Sequence, residues 1–102
     1  MSEMSIAVLD LGTTGCKTTF FNDLGKIECH QSQEYQNFHP AQNLVEQDPD
    51  IWVQSALKTI GSNTKKGLGN ELMGLIVTSQ RSTLIGVQQD GEALGNAILW
   101  LD

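Results

Sequence analysis

Basic residues are scarce in this sequence of 102 residues: six Lys and Arg stand against twelve Asp and Glu, which gives a formal net charge of −6. The basic residues are also scattered, and Lys65 and Lys66 are the only adjacent pair. Nucleic acids and anionic lipid surfaces are bound by clustered Lys and Arg, so neither is expected as the main partner. A nucleotide stays compatible with this charge, because a metal ion normally shares the charge of its phosphates.

Cysteines and long apolar runs are scarce as well. Cys16 and Cys29 are the only cysteines, and no His lies at a metal-like spacing from them, which excludes a locally assembled zinc site. A disulfide between them is conceivable, but nothing in the sequence indicates secretion. The first apolar run ends at Leu11 without a basic stretch before it, so neither a signal peptide nor a transmembrane span is predicted. We therefore expect a cytoplasmic protein with two free thiols.

The first third of the chain predicts three consecutive strands. Residues 5–11 are a short β-branched apolar run that Gly12 stops, which is typical of a buried strand. Residues 16–22 are rich in Thr and Phe, and residues 26–35 are more polar. The turn at 23–25 contains glycine, which favours a hairpin. The prediction is an antiparallel meander with its third strand at or near a sheet edge.

The clearest helix start in the chain follows a polar segment, 36–47, which is predicted to be irregular. Asp48 can cap the free N–H groups of the first turn, Pro49 suits the first helical position, and Asp50 complements the helix dipole. The helix is expected to end in the Gly- and Lys-rich segment 61–70. Its predicted apolar face consists of Val53, Ala56, Leu57 and Ile60.

The second half of the chain returns to extended structure. Residues 72–78 predict a buried strand that runs parallel to the first strand after the helical crossover. A strand at 83–88, a turn at 90–91 and an apolar segment at 97–101 follow. Together these elements predict an α/β fold with a mixed sheet. The sequence stops at Asp102 directly after an apolar run, so we expect a longer parent protein.

The segment around the first turn carries the first chemical signal. Asp10 ends a buried strand, where a carboxylate can hold Mg²⁺ directly or through water. Gly12, Thr13 and Thr14 offer backbone N–H groups and two hydroxyls to phosphate oxygens, and Lys17 can add a positive charge. The alternative is a plain hairpin whose Thr residues bond to their own backbone. The GxxxxGK[ST] phosphate loop is absent.

A strand that ends in residues 10–14 and continues into a hairpin resembles the first phosphate motif of the superfamily that contains actin, hexokinase and the heat-shock ATPases. Three further stretches resemble motifs of the FGGY carbohydrate kinases: 44–52 (VEQDP and IW), 78–82 (T-x-Q-R) and 90–102 (DG and W-x-D). Each stretch alone has a structural explanation, namely a capped helix, a surface Arg and a packed Trp. Four motifs in the family's order, over residues 6–102, resemble the N-terminal part of the first kinase domain.

The resemblance implies a ribonuclease H-like, actin-like ATPase fold with two domains and a cleft between them. Residues 1–102 would form part of the first domain, on the substrate and phosphate side, and the ATP-binding second domain would be absent. The full-length parent would transfer the γ-phosphoryl group of ATP to a sugar or polyol hydroxyl. Its catalytic base is expected beyond Asp102, so residues 1–102 alone are expected to be inactive.

The resemblance also implies roles for individual residues. Asp10 would hold Mg²⁺, and Arg81 would donate from its planar fork to two sugar hydroxyls. The residues implied to bind phosphate are Gly12, Thr13, Thr14 and Lys17. The residues implied to line the sugar site are Gln80, Arg81, Ser82, Trp100 and Asp102.

Two departures from the family leave the substrate open. Glycerol kinases of the family place Glu directly after the Arg, where this sequence has Ser82, which disfavours glycerol. Xylulose kinases usually carry Met-His near the position of Gln80, and that pair is absent. The alternatives to a kinase are a non-catalytic module of the ATPase fold and a small sugar-binding module. The parent could also be a homo-oligomer.

Overall fold

The computed structural model describes residues 4–65 and 71–99. These residues form one helix and seven strands, and the strands are arranged in two sheets. No helix in these two ranges has the length and apolar character needed to cross a membrane. The elements are β1 (Met4–Leu11), β2 (Gly15–Asn22), β3 (Ile27–Glu34), β4 (Phe38–Ala41), β5 (Leu44–Gln47), α1 (Pro49–Lys65), β6 (Glu71–Ser79) and β7 (Ala97–Leu99).

The larger sheet has the strand order β3-β2-β1-β6. Strand β2 pairs antiparallel with both β1 and β3, and β6 runs parallel to β1. The side chain of Asn22 closes the β2–β3 turn by accepting the backbone N–H groups of Leu24 and Lys26. Gly25 takes a φ of 78° there, which glycine adopts without steric cost. The predicted meander, its edge strand and the parallel return strand are all confirmed.

The prediction that residues 36–47 are irregular is wrong. Strands β4 and β5 form a hairpin in this segment, and β7 pairs with β5 to complete a three-stranded antiparallel sheet. Asn43 in the hairpin turn has a φ of 65°, in the left-handed region that Asn tolerates better than most residues. Strand β5 pairs with residues far along the chain, as Val45 does with Leu99. Its local sequence therefore carries little strand signal.

The predicted start of the helix is confirmed, and α1 extends to Lys65, inside the segment 61–70 in which it was expected to end. The Asp48 carboxylate accepts the backbone N–H of Asp50 at 3.0 Å, which is the expected cap. Helix α1 continues through Gly61 to Lys65, and residues 66–70 lie outside the described part of the chain. The last turn is held by Asn63, which is fully buried and whose amide nitrogen donates to the Thr18 carbonyl of the larger sheet at 2.9 Å. That contact offsets the ~1 kcal/mol that a glycine costs inside a helix.

The buried face of α1 also differs from the predicted one. Val53 and Leu57 are 61% and 67% exposed, and the other two predicted apolar positions are half-buried. The buried positions are Ser55, Thr59 and Asn63, which recur every four residues along the helix. The Thr59 hydroxyl bonds to the Thr18 hydroxyl and the Asn63 amide nitrogen donates to the Thr18 carbonyl, which offsets part of the cost of burying them. The Asn63 side-chain oxygen has no hydrogen-bond partner within the described residues.

The apolar strand predicted at 72–78 is present as β6, but the prediction that it is buried is wrong. Helix α1 packs chiefly against β2 and β3, so it leaves the edge strand β6 uncovered on both faces within the described residues. The large apolar side chains of β6 are between 43% and 56% exposed, and they are Leu72, Met73, Leu75, Ile76 and Val77.

A regular strand at 83–88 is not formed. The segment pairs only at two isolated bridges among the described residues, Leu84 with Ile98 and Val87 with Ala93. The predicted turn that follows is confirmed, with Gly91 at a φ of 92°. Strand β7 covers the first three residues of the apolar segment 97–101, and the last two lie outside the described residues.

Candidate functional site

The β1–β2 turn, residues 12–14, is tightly constrained. The backbone N–H of Gly12 donates to the carbonyl of Gly15 at 2.9 Å. A Cβ atom on Gly15 would lie 2.5 Å from the carbonyl oxygen of Gln33, so any other residue would require the backbone to shift. The turn therefore presents its peptide groups in a fixed arrangement.

All three carbonyls of the β1–β2 turn accept hydrogen bonds from residues outside it. The Gly12 carbonyl accepts from the Tyr35 hydroxyl and from the Gln80 side-chain amide, the latter at 3.3 Å. The Thr13 carbonyl accepts from the Gln47 side-chain amide at 2.5 Å. The Thr14 carbonyl accepts from the backbone N–H of Tyr35 at 3.1 Å. Side chains from three separate segments thus hold one face of the turn.

Asp10 lies at the end of β1, paired with Lys17 on β2 and with Thr78 on β6. Asp10 and Lys17 are both exposed, and a cavity of about 200 Å³ beside them is lined in part by both residues and by Thr14. The described residues contain no group of three or more His, Cys, Asp or Glu that could hold a metal ion. A Mg²⁺ ion at Asp10 would therefore need water and phosphate oxygens as its other ligands, which Mg²⁺ accepts readily.

The first residue of the loop after β6, Gln80, lies next to the β1–β2 turn. The backbone N–H of Gln80 donates to the carbonyl of Leu11 at 2.8 Å. The side-chain oxygen of Gln80 accepts from the Thr83 hydroxyl at 2.8 Å, so its polar atoms are engaged within the protein. Arg81 and Ser82 follow and are exposed, and Ser82 has a φ of 56°. A left-handed backbone is uncommon for Ser, and such positions concentrate at functional sites.

The structure thus brings most of the predicted site residues to one end of the larger sheet, where β1 and β6 end. The hydrogen bond from the Gln80 amide to the Gly12 carbonyl connects the residues predicted to bind phosphate with the residues predicted to bind sugar. A second cavity, of about 150 Å³, adjoins this junction, and Trp52 and Thr83 form part of its wall. The two remaining predicted residues, Trp100 and Asp102, lie outside the described part of the chain.

The sequence profile of the N-terminal domain of the FGGY family of carbohydrate kinases matches residues 5–102. The chain belongs to this family. A xylulose kinase from Staphylococcus xylosus is 31% identical over 94 residues, and a glycerol kinase from Leptospira biflexa is 35% identical over 95 residues. These matches cover 92% and 90% of this chain, and 20% and 19% of the two relatives.

Solved structures of FGGY relatives share the fold. A gluconate kinase and a ligand-bound xylulose kinase, both from Lactobacillus acidophilus, each match with a TM-score of 0.89 and 28% identity. Each match covers 95% of this chain and 20% of the other. The predicted fold class, a mixed-sheet domain of the actin-like ATPase type, is confirmed. The chain spans about one fifth of the length of the relatives that it matches.

Tyr35 and Cys16 both have raised pKa values. Burial, with smaller contributions from Cys16 and Asp10, raises the pKa of the Tyr35 hydroxyl to about 12. Burial likewise raises the pKa of the Cys16 thiol, with the Thr59 hydrogen bond acting in the opposite direction. Both groups are therefore neutral at physiological pH, and the Tyr35 hydroxyl is available as a donor to the turn.

Two residues of the site were not predicted from the sequence. The sequence predicts Tyr35 only as the end of a strand and Gln47 only as part of a helix-capping stretch. Both contact the β1–β2 turn through side chains from distant parts of the chain. The only available signal was the position of Gln47 inside a family motif, which by itself indicated packing as readily as function.

Proposed function

We propose that this chain forms the phosphate and sugar side of the active site of an ATP-dependent carbohydrate kinase. The reaction is transfer of the γ-phosphoryl group of ATP to a hydroxyl of a sugar or polyol. The observation that carries the proposal is the junction of the two predicted half-sites, where Gln80 donates to Leu11 through its backbone and to Gly12 through its side chain. Phosphoryl transfer depends mainly on placing donor and acceptor side by side, which such a junction favours.

On the phosphate side, the β1–β2 turn supplies neutral donors and Lys17 supplies a positive charge. Thr13 and Thr14 offer N–H and hydroxyl groups to the oxygens of the transferred group. Asp10 would hold Mg²⁺, which neutralises phosphate charge when bound. Asp10 itself is exposed beside the cavity near the turn, so phosphate-bound metal can reach it without burying an unpaired carboxylate.

On the sugar side, Arg81 is the central residue. It is the only arginine in the chain, it is exposed, and it follows directly on the anchored Gln80. A guanidinium group has a planar fork of donors that fits two neighbouring hydroxyls. Ser82 stands beside it, and the motif resemblance adds Trp100 and Asp102 as further sugar contacts.

The remaining parts of the active site are proposed to lie in the rest of the kinase. The relatives are about five times as long as this chain, because it covers 19–20% of their length. We place the adenine site and the catalytic base in that remainder. The use of ATP and the two cysteines, which form no disulfide among the described residues, fit a reducing compartment, so the proposal includes a cytoplasmic location.

The substrate is proposed to be a sugar or polyol longer than glycerol. The relatives include kinases named for xylulose, glycerol and gluconate, so the family name alone leaves the acceptor open. Ser82 offers one short hydroxyl where glycerol kinases place a carboxylate. A shorter side chain leaves room for additional carbons of the acceptor beside Arg81.

The test is steady-state kinetics of the kinase that carries these residues at its N-terminus. Arg81→Ala should raise KM for the sugar by about 10–100-fold, the effect of losing charged hydrogen bonds, and leave KM for ATP within about twofold. Asp10→Asn should lower kcat by roughly 100-fold or more, because metal-assisted charge neutralisation is lost. Lys58→Ala, at an exposed position of α1, is the matched control and should behave like the wild type.

The pattern of effects decides between the assignments. A larger effect of Arg81→Ala on KM for ATP than on KM for the sugar would contradict the sugar role of Arg81. Unchanged kcat in Asp10→Asn, with an unchanged dependence on Mg²⁺ concentration, would contradict the metal role of Asp10.

A further inference from the structure

Gln47 is fully buried at the end of β5, and its side chain uses all of its hydrogen-bonding capacity. Its amide nitrogen donates to the Thr13 carbonyl and to the Asn37 side-chain oxygen, both at 2.5 Å. Its oxygen accepts from the Trp52 indole N–H at 2.8 Å and from the Gln80 amide at 3.0 Å. Two donors and two acceptor sites are the whole inventory of a Gln side chain. The orientation of this amide is therefore fixed by four partners.

The donors to the β1–β2 turn determine which way its N–H groups point. In a trans peptide the C=O of one residue and the N–H of the next point in opposite directions. Tyr35 and Gln80 hold the Gly12 carbonyl on the protein side, which directs the Thr13 N–H away from it. Gln47 holds the Thr13 carbonyl in the same way, which directs the Thr14 N–H away.

Among residues 4–65 and 71–99, neither the Thr13 N–H nor the Thr14 N–H donates a hydrogen bond. Two adjacent backbone donors that point outward from a fixed turn form a small anion-binding nest. The cavity beside Asp10 and Lys17 includes Thr14 in its wall, together with Glu34, so the turn is accessible to solvent at Thr14.

We propose that Gln47 is a positioning residue of the phosphate site, which holds the Thr13–Thr14 peptide so that the Thr14 N–H faces the transferred phosphoryl group. The phosphoryl part of this inference rests on the proposed kinase function. Because the same Gln47 oxygen accepts from Gln80, one side chain connects the phosphate turn to the loop that carries Arg81. Trp52 anchors that side chain to the first turn of α1.

Because Gln47 holds the Thr13 carbonyl and Tyr35 holds the Gly12 carbonyl, variants of the two residues should have different effects. Gln47→Glu keeps the shape and both acceptor bonds but replaces the donor to Thr13 with an oxygen, which repels that carbonyl. It should disturb the Thr14 amide. Tyr35→Phe removes one of the two donors to Gly12, so it should disturb the Thr13 amide. Gln89→Glu, the same change at an exposed position, is the matched control.

The first measurement uses the 102-residue chain with isotope-labelled threonine and inorganic phosphate as the probe. In the wild type and in Gln89→Glu, phosphate should shift the amide resonances of Thr13 and Thr14. In Gln47→Glu the Thr14 response should be lost or weakened at least about threefold, and in Tyr35→Phe the Thr13 response should be the one that weakens. No phosphate response at either threonine of the wild type, or an unchanged Thr14 response in a folded Gln47→Glu, overturns the proposal.

The second measurement is kinetic and separates the inference from the proposed function. In the complete kinase, Gln47→Glu should lower kcat by about 10–100-fold, as expected for a misplaced reacting group, and leave KM for the sugar within about threefold. A kcat within twofold of the wild type would overturn the proposal. If the wild-type kinase shows no sugar-dependent ADP release while Thr14 responds to phosphate as described, the kinase function fails and the anion-positioning role of Gln47 stands.

Discussion

The hydroxyl groups of Thr18 on β2 and Thr59 on α1 lie 2.8 Å apart in the interior of the fold. Both residues are almost fully buried. Thr59 also donates to the carbonyl of Ser55 at 2.9 Å, so the hydroxyl of Thr18 is the donor between the two threonines. The helix is thus attached to the sheet by these polar contacts in addition to the apolar packing of Ile51, Trp52 and Ala56 against the core.

We expect Thr59→Val to lower the free energy of unfolding by about 1–3 kcal/mol, because it leaves the buried Thr18 hydroxyl without its acceptor. The double variant with Thr18→Val should cost less than the sum of the two single changes, since both partners are then apolar. Thr64→Val is the control, because Thr64 makes the same type of bond to the helix backbone but is exposed. Chemical denaturation measures all four variants. Additive effects would show that the two hydroxyls are not coupled.

The start of helix α1 could be predicted from the sequence, but its buried face could not. Its start was predictable because a cap is a local feature, formed by Asp48 and Asp50 alone. Its buried face was not, because the apolar period pointed to Val53 and Leu57, which are exposed. Polar residues such as Thr59 are assigned to a surface unless their partners are known, and those partners lie on a strand some forty residues earlier.

Asp48→Ala should lower the free energy of unfolding by about 0.5–2 kcal/mol, the usual cost of losing an N-terminal cap. Asp48→Asn should retain most of the stability, because its side-chain oxygen can still accept the N–H of Asp50. Thermal or urea denaturation of the two variants checks this. In the complete kinase, kcat should be unchanged for both, and a large loss of kcat at unchanged stability would assign Asp48 a role in the chemistry instead.

Tyr35 is the only tyrosine, so the absorbance of tyrosinate reports its ionisation directly. Its pKa should be about 12 in the folded chain, raised from 10.0 by burial. A group whose folded pKa is raised stabilises the fold below its unfolded pKa, and that contribution is lost as the pH rises from 10 to 12. Ionisation also removes the donor to Gly12. A folded-state midpoint near 10, or the same loss of stability in Tyr35→Phe over this pH range, would contradict the account.

The two thiols should react at different rates with a thiol reagent at mildly alkaline pH. Cys16 is 3% exposed and its pKa is raised by burial, whereas Cys29 is half-buried. Cys29→Ser should therefore remove the fast phase, and Cys16→Ser should leave it in place. The unfolded chain should show two reactive thiols, since the strand register places Cys16 opposite Gln33 and not opposite Cys29. One thiol or none would indicate a disulfide.

The candidate site was predictable where its chemistry is carried by contiguous residues. The β1–β2 turn and the segment containing Arg81 each form a short motif, and both follow strands that the apolar pattern predicts. The contacts that join them could not be predicted, because they run from Gln47 and Gln80 to carbonyls of the turn. Hydrogen bonds between side chains and a distant backbone leave no periodic trace in a sequence.

The central claim is that these residues serve a carbohydrate kinase, and sugar-dependent ADP release tests it most directly. A coupled assay with pentoses, hexoses and polyols is applied to the kinase that carries residues 1–102 and to the 102-residue chain alone. The account predicts that ADP release by the kinase depends on one or a few of these acceptors, and that the chain alone stays at background. No acceptor-dependent ADP release by the kinase with any member of the panel, or sugar-dependent release by the 102-residue chain alone, would contradict it.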